Sequence, residues 1–214
     1  MNPAGEPTRA RIPVNFDEGN DLTAIVAQAM TAARTAQARW SRTPLARRLE
    51  LVRELRRLIA EHAMRLAEAS ASARRRPALE ALTAEVIPLA EACRFLEREA
   101  KTILTPRQLG KRGLPLWLAG LRSEIHREPY GVVLVIGPGN YPLLLSGVQM
   151  LQALVAGNAV LLKPGVGGTA AARDLCDLIV QAGFDSQLVA VLPESIIAVH
   201  TAIHGRDGTV GRLL

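Results

Sequence analysis

The sequence predicts an α/β protein in which a series of amphipathic helices precedes a partial parallel sheet of βαβαβ topology. Apolar residues recur at helical spacing through the first hundred residues. Helical segments separate three short apolar runs, and such β-α-β crossovers give parallel strands with right-handed connections. The runs are β-branched and uninterrupted, as is typical of strands covered on both faces: Val132–Ile136, Ala159–Leu162 and Leu188–Leu192.

The N-terminal helical part is predicted to contain three helices. Their 3.6-residue apolar spacing covers residues 22–39, 44–71 and 78–101, with Pro88 as a kink or a boundary in the last one. Basic residues such as Arg48 are expected on the exposed faces. The run Arg74–Arg76 before Pro77 is interpreted as a solvated turn near a helix C-terminus, where cations are favoured.

The middle of the chain is predicted to be mostly irregular. Residues 105–120 are rich in Gly and Pro, which favours loops. Residues 121–127 then alternate between apolar and polar side chains, which predicts a half-exposed strand.

Composition limits the function classes. The chain has 214 residues, 49% of them hydrophobic, which fits a globular protein with a real core. Aromatic residues make up only 3%, which argues against base-stacking platforms, and the +6 net charge is spread over the helices. We therefore expect no nucleic-acid partner. No apolar run approaches about 18 residues, so no membrane span is expected.

Two cysteines, Cys93 and Cys176, stand alone in helical patterns. They exclude a disulfide framework and a cysteine zinc site, and no metal is predicted. Free thiols fit a reducing compartment, and the N-terminus has no signal-peptide pattern, so we expect a cytoplasmic protein.

Two glycine-rich loops follow the first and second predicted strands. In open parallel sheets ligands bind beyond the carboxyl ends of the strands, where residues 137–142 (the first loop) and 163–169 (the second loop) both lie. The second loop offers amides at a helix N-terminus, which suits phosphate. Lys163 at this position can meet a phosphate or a ribose hydroxyl, or it is a surface residue at a strand end.

The first loop matches neither common nucleotide motif. It lacks Gly-Lys-Ser/Thr, and Pro142 stands where GxGxxG needs its third Gly. Asn140 has two interpretations. Its amide can stabilise an oxygen that becomes negative in a tetrahedral intermediate, or it is a turn or helix-capping residue.

These motifs resemble the first half of the aldehyde dehydrogenase superfamily, especially the branch with an IG-x-WNYP loop. The resemblance is carried by REPYGVVLVIGPGNYP, ALVAGNAVLLKP, LCDLIVQAGF, LVAVLPES and the helical ARWSRTPLARRLELVRELRRLIAEH. It implies a partial Rossmann-like sheet and NAD- or NADP-dependent oxidation of a small-molecule aldehyde to an acid through a Cys thioester. It also implies that Asn140 belongs to the oxyanion hole, and that the cofactor site includes Ile136, Gly137, Pro138, Gly139, Lys163, Gly165 and Gly167.

The sequence departs from the family pattern in three respects. Gly139 replaces the usual Trp before the Asn, and Val166 replaces the Glu of K-P-S-E that holds the ribose hydroxyls, which leaves NADP open beside NAD. Neither Cys93 nor Cys176 matches the nucleophile. We expect the nucleophilic Cys and the Glu base to lie beyond Leu214, and the 214-residue chain alone to be inactive.

The resemblance also suggests a domain organisation and partners. Its four segments are a mobile segment (1–20), a helical part (21–108), a linker with an oligomerisation strand (109–129) and a partial dinucleotide-binding domain (130–214). The expected protein partners are copies of the chain itself or a separate C-terminal half. The alternative to an enzyme part is a non-catalytic nucleotide-binding or interaction module, such as a truncated remnant.

Overall fold

The structure is a computed structural model, and it describes residues 20–72, 75–109, 115, 117 and 120–204. The predicted mobile segment, apart from Asn20, and the chain after residue 204 lie outside the described residues. The division into four segments stays a prediction.

Helices come first along the chain, and the predicted βαβαβ order follows in the C-terminal part. The helices are α1 (Asn20–Trp40), α2 (Leu45–Glu61), α3 (Ala63–Ser72), α4 (Ala78–Ala81), α5 (Ile87–Leu104), α6 (Leu144–Val155), α7 (Thr169–Gln181) and α8 (Ile196–His204). The strands are β1 (Arg107–Leu109), β2 (Ser123–Ile125), β3 (Val132–Ile136), β4 (Ala159–Lys163) and β5 (Val189–Val191). The α/β fold class is confirmed.

The three predicted apolar strands form one parallel sheet in the order β3-β4-β5. Ile136 is in register with Lys163, and Leu162 is in register with Val191, so the three strands end at a common edge. We call this edge the carboxyl edge. It is the edge at which parallel α/β sheets bind ligands.

Helices cover the sheet in two layers. Helix α1 packs against all three strands and against α8, whereas the crossover helices α6 and α7 contact both the strands and α2. Residues 132–135 and 159–162 are fully buried as a result. The apolar, β-branched composition of these strands is explained by burial on both faces.

The segment that connects α1 to α2 is hydrogen-bonded to the C-terminal end of α6. Trp40 Nε1 donates to the Leu154 carbonyl at 2.8 Å. The expectation of an exposed Arg48 is wrong, since this residue is only 8% exposed. Its guanidinium donates to the carbonyls of Val155, Trp40 and Ser41, which compensates for part of the cost of burial.

The predicted helices over 44–71 and 78–101 are each interrupted. The first is interrupted at His62, between α2, which packs mainly against α5, and α3, which packs mainly against α4 and α7. The second begins with the short α4 and passes through a π-helical turn over Leu82–Val86 before α5 begins. Ile87 N–H donates to the Leu82 carbonyl in this wide turn. Pro88 follows as a boundary, because it has no N–H with which to continue the helical ladder.

A small antiparallel hairpin lies apart from the main sheet. Its strand β2 confirms the core of the predicted strand, but Arg107–Leu109 was expected to be irregular and is in fact the partner strand β1. Strand β1 could not be predicted from an alternation of buried and exposed residues, because its three residues are all exposed. Among the described residues, no helix is both long and apolar enough to cross a membrane.

Candidate functional site

The two glycine-rich loops meet at the carboxyl edge. Gly137 N–H donates to the Lys163 carbonyl at 2.8 Å, which continues the β3-β4 ladder into the loops. Beyond it, Gly165 packs directly on the backbone of Pro138 and Gly139. The predicted convergence of both loops on one edge is therefore what the structure contains.

Gly165 allows this contact because it has no side chain. A Cβ at this position would collide with the Pro138 carbonyl group and with the Gly139 nitrogen. A Cβ on Gly168 would come within 3.0 Å of the Pro142 Cβ. At Gly165 the backbone of the second loop therefore lies directly against the backbone of the first loop. The sequence pattern indicates that glycine permits a close approach here, but it does not identify the contact.

Asn140 is exposed on the first loop, close to the end of β3. Within the described part of the chain, its side-chain amide makes no hydrogen bond. Of the alternative interpretation, the helix cap has no support from the contacts of α6, whose first amides are bonded by another residue. The turn stays open, since the backbone bends at residues 139–141. The amide is thus available to an oxygen of a bound molecule.

The residue that bonds the first amides of α6 is Glu85, which the sequence analysis did not identify. Its buried carboxylate accepts from Leu143 N–H at 2.8 Å and from Leu144 N–H at 3.2 Å, at the start of α6. Its other oxygen accepts from Ser70 Oγ and from the Arg76 guanidinium. Glu85 therefore fixes the end of the first loop to the helical layer.

Arg76 departs from the predicted solvated turn, whereas its neighbour Arg75 is exposed in a turn as expected. The side chain of Arg76 is only 13% exposed and forms an ion pair with the fully buried Glu85. The same guanidinium lies 5.1 Å from the centroid of the Tyr141 ring, a cation-π contact with the first loop. The usable signal in the sequence was Glu85 itself, an acidic residue on the apolar side of the predicted third helix.

The amides at the start of α7 are already bonded within the chain. Glu194 follows β5, and its carboxylate accepts from Gly167 N–H at 2.9 Å and from Thr169 N–H at 3.2 Å. The Thr169 hydroxyl donates to the same carboxylate at 2.6 Å. The sequence predicted these amides as a phosphate site, but they bind the carboxylate of Glu194 instead.

The charges at the carboxyl edge are mixed. Burial acts to raise the pKa of Glu194, but hydrogen bonds from Thr169 and Gly167 and the nearby charge of Lys163 hold it below its ordinary value. Lys163 is half-buried at the end of β4. A cation and a carboxylate thus both lie at this edge.

The predicted cofactor residues occupy this edge, but they differ in access. Ile136 and Gly167 are exposed and Pro138, Gly139 and Lys163 are half-buried, whereas Gly137 and Gly165 are buried. The two buried glycines hold the loops together. Their role toward a cofactor, like that of the other five, stays a prediction.

Neither cysteine has the properties of a nucleophile. Burial raises the pKa of Cys93 to about 12, with a further contribution from the charge of Glu97. Burial likewise raises the pKa of Cys176 to about 12. Since the thiolate is the reactive form, these shifts disfavour a nucleophilic role for either thiol near neutral pH. The described residues contain no group of side chains suited to a metal ion.

The fold and this edge define a Rossmann-like α/β protein of the dehydrogenase type, and comparison with known proteins identifies the family. The sequence profile of the aldehyde dehydrogenase family matches residues 10–209. The chain therefore belongs to the aldehyde dehydrogenase family.

Two relatives illustrate the match in sequence. A Mycobacterium ulcerans (strain Agy99) protein, provisionally named succinate-semialdehyde dehydrogenase (NADP+) 2, is 35% identical over 182 residues, which cover 83% of this chain and 33% of that protein. A 4,4'-diapolycopene aldehyde oxidase from a Methylomonas species is 34% identical over 141 residues, which cover 66% of this chain and 26% of that protein. The chain spans about a third of the length of the curated relatives it matches.

Solved structures agree with the fold. An NADP-dependent glyceraldehyde-3-phosphate dehydrogenase from Bacillus halodurans C-125, in complex with NADP, superposes with a TM-score of 0.76 at 27% identity, covering 86% of this chain and 38% of that chain. An indole-3-acetaldehyde dehydrogenase without ligand superposes with a TM-score of 0.76 at 25% identity, covering 87% of this chain and 43% of that chain.

Proposed function

We propose that this chain supplies the dinucleotide-binding edge and one oxyanion-stabilising amide of an NAD(P)-dependent aldehyde dehydrogenase. The observation that carries the proposal is the contact of Gly165 with Pro138 and Gly139, which joins two loops of family type at the carboxyl edge. The residues of this edge suit an adenosine ribose, since Lys163 and Glu194 offer one hydrogen-bond donor and one acceptor for its hydroxyls. When bound, the dinucleotide supplies the acceptor for a hydride from the aldehyde carbon.

The chain's own contribution to the chemistry is the Asn140 amide. Because it is exposed and has no partner among the described residues, it can donate to the aldehyde oxygen as negative charge develops there. Losing such a donor typically costs about 10²–10³ in kcat. Asn140→Ala should therefore lower kcat by this factor in any form of the enzyme that turns over, and leave dinucleotide affinity unchanged.

The nucleophile is proposed to come from outside this chain. The raised pKa values of Cys93 and Cys176 support this proposal, because neither thiol is activated. The names of several relatives make succinate semialdehyde the first aldehyde to assay.

The test combines binding and turnover. Isothermal titration of the purified chain with NAD+ and with NADP+ should detect binding of at least one of them. Aldehyde-dependent NAD(P)H production should be absent from the wild-type chain and from the Cys93→Ala/Cys176→Ala variant. Turnover by either protein would contradict the proposed external nucleophile, and binding of neither dinucleotide would contradict the proposed cofactor role.

A role in subunit contact is proposed for the β1-β2 hairpin. Leu109 and Leu121 are exposed there by 44% and 54%, and Trp117 by 83%. Apolar side chains exposed together on a small hairpin favour association with another protein surface. If copies of this chain associate through the hairpin, Leu109→Lys/Leu121→Lys should lower the mass measured by sedimentation equilibrium, whereas an unchanged mass would reject this surface.

A further inference from the structure

Asn140 lies between two residues that fix the first loop in different ways. Gly139 has no side chain, and its backbone packs against Gly165 of the second loop. Tyr141 carries the only side chain directly next to Asn140 in the sequence, and its carbonyl accepts from Leu145 N–H at 3.4 Å. The exposed amide of Asn140 makes no hydrogen bond of its own within the described part of the chain. Its direction therefore depends on these neighbours.

The ring of Tyr141 packs against a largely buried cation. The guanidinium of Arg76 lies 5.1 Å from the ring centroid. Only 13% of the Arg76 side chain is exposed, and its Nε–H has no acceptor among the described residues. The negative face of an aromatic ring attracts a cation, most strongly where water is excluded. The contact therefore holds the ring in place even though 37% of Tyr141 is exposed.

Arg76 is in turn fixed by the buried carboxylate of Glu85. This carboxylate forms an ion pair with Arg76 and accepts from the amides of residues 143 and 144. One network therefore holds the chain on both sides of Pro142, through the ring of Tyr141 before it and through two amides after it. Because proline also locks its own φ, the segment that follows Asn140 is stiff.

We propose that Tyr141, held by Arg76, is a positioning residue that orients the Asn140 amide. Tyr141 acts through Asn140 and is not itself assigned a catalytic role. The ring carries this function and the hydroxyl does not, because the contact with Arg76 is made by the ring face. The inference rests on the proposed oxyanion role of Asn140 and adds the residue on which the geometry of that amide depends.

The first test measures the order of the Asn140 backbone amide by ¹⁵N relaxation in the purified chain, with the signal assigned by comparison with Asn140→Asp. The variants are Tyr141→Leu, which removes the ring, and Tyr141→Phe, which keeps it. We expect an order parameter of about 0.85 in the wild type and in Tyr141→Phe, as in rigid backbone. Tyr141→Leu should lower it below about 0.6, the range of flexible backbone.

Two controls separate a local effect from a loss of fold. Tyr130→Leu makes the same substitution at an exposed tyrosine outside the first loop and should leave Asn140 unchanged. The amides of Val135 in β3 and Met150 in α6 should keep their order in every variant. Wild-type order that persists in Tyr141→Leu, or that is lost equally in Tyr141→Phe, would overturn the inference. A flexible Asn140 in the wild type would overturn it as well.

A kinetic cycle tests the consequence in any form of the enzyme that turns over. Tyr141→Leu should lower kcat by up to about 10²-fold, because misplacing a catalytic group by about 1 Å can cost this much. Tyr141→Phe should keep kcat near the wild-type value. In the Asn140→Ala background Tyr141→Leu should have no further effect, since residues that act as a unit are not additive. A full additional loss there would contradict a role through Asn140.

The two kinds of measurement distinguish this inference from the proposed function. If Asn140→Ala leaves kcat unchanged, the oxyanion role of the amide fails. The relaxation data still decide whether Tyr141 fixes Asn140, because they do not depend on turnover or on a bound dinucleotide.

Discussion

The carboxylate of Glu85 accepts a hydrogen bond from the amide of Leu143 at 2.8 Å, across 58 positions of sequence. The contact joins the π-helical turn in the helical layer to the loop that carries Asn140. π-helical turns occur frequently at functional sites. In this protein the turn places a buried acid beneath the candidate oxyanion loop.

Replacing Glu85 by Gln should destabilise the protein strongly. Arg76 would lose its buried counter-ion, and removing one partner of such a pair costs about 3 kcal/mol at the lower end of the usual range. Urea unfolding followed by circular dichroism measures the change. The control is Glu80→Gln, since Glu80 lies 3.7 Å from Arg76 but is half exposed and should contribute no more than about 1 kcal/mol. Equal effects of both variants would contradict the assigned role of Glu85.

Replacing Gly165 by Ala should separate the two loops. The added methyl group meets backbone atoms of Pro138 and Gly139, which cannot rotate away as a side chain can. Overpacking of this kind costs about 1–3 kcal/mol, and dinucleotide affinity should fall with it. Gly120→Ala is the control, because a Cβ there has no neighbour within 4 Å. Unchanged stability and affinity in Gly165→Ala would show that the loop contact is dispensable.

Replacing Arg48 by Lys should weaken the join between α1, α2 and α6. Arg48 donates to three carbonyl groups in a fixed geometry that an ammonium group on a flexible stem does not reproduce. Burial lowers the pKa of Arg48, so the site already disfavours charge that is not fully compensated. We expect a loss of about 2 kcal/mol in the free energy of unfolding, comparable to other buried hydrogen bonds left unmade. Arg47→Lys, at the neighbouring exposed position, should change it very little.

Both cysteines should resist alkylation in the folded state. With pKa values raised to about 12, the thiols carry almost no thiolate at pH 8. Iodoacetamide should modify them at least ~100-fold more slowly than an unfolded chain in guanidinium, because reactivity follows the thiolate fraction. Mass spectrometry at timed intervals gives the two rates, and rapid modification of Cys93 in the native chain would contradict its assigned burial.

The same shifts predict the direction of a pH effect on stability. The folded-state pKa of each thiol lies above its ordinary value of 9.0. The contribution of the protonated thiols is therefore fully present below pH 9 and is lost as the pH rises through 12. Urea unfolding between pH 8 and pH 10.5 should show a decline that Cys93→Ala/Cys176→Ala reduces.

The sheet and its loops could be predicted from the sequence because their signals are local. Val132–Ile136 and Ala159–Leu162 are uninterrupted apolar runs, and each is followed directly by Gly or by Lys-Pro-Gly. Parallel pairing then places Lys163 and the first loop at one edge by topology alone. The individual side chains did not need to be located for this conclusion.

The residues that support the site could not be predicted in the same way. Arg48 and Glu85 are charged residues within helical segments, and Arg76 lies in the connection between α3 and α4; at such positions charge ordinarily indicates an exposed side chain. The partners of Glu85 and Arg48 include Leu143 and Val155, which lie 58 and 107 positions away. Periodicity places Glu85 on the apolar side of its helix, but it does not identify these distant partners. The role of Glu194 was missed for the same reason, since its partners lie 25 and 27 positions earlier.

The tether between Glu85 and Leu143 also has a consequence for the order of events during synthesis. Ser70, Arg76 and Glu85 leave the ribosome before the first loop does, so the anchor is complete before the segment that it holds. The contact itself can form only once the chain between residues 85 and 143 has been made and its ends have come together. A fault in the helical layer would therefore reach the loop of the candidate catalytic amide even if the sheet formed correctly.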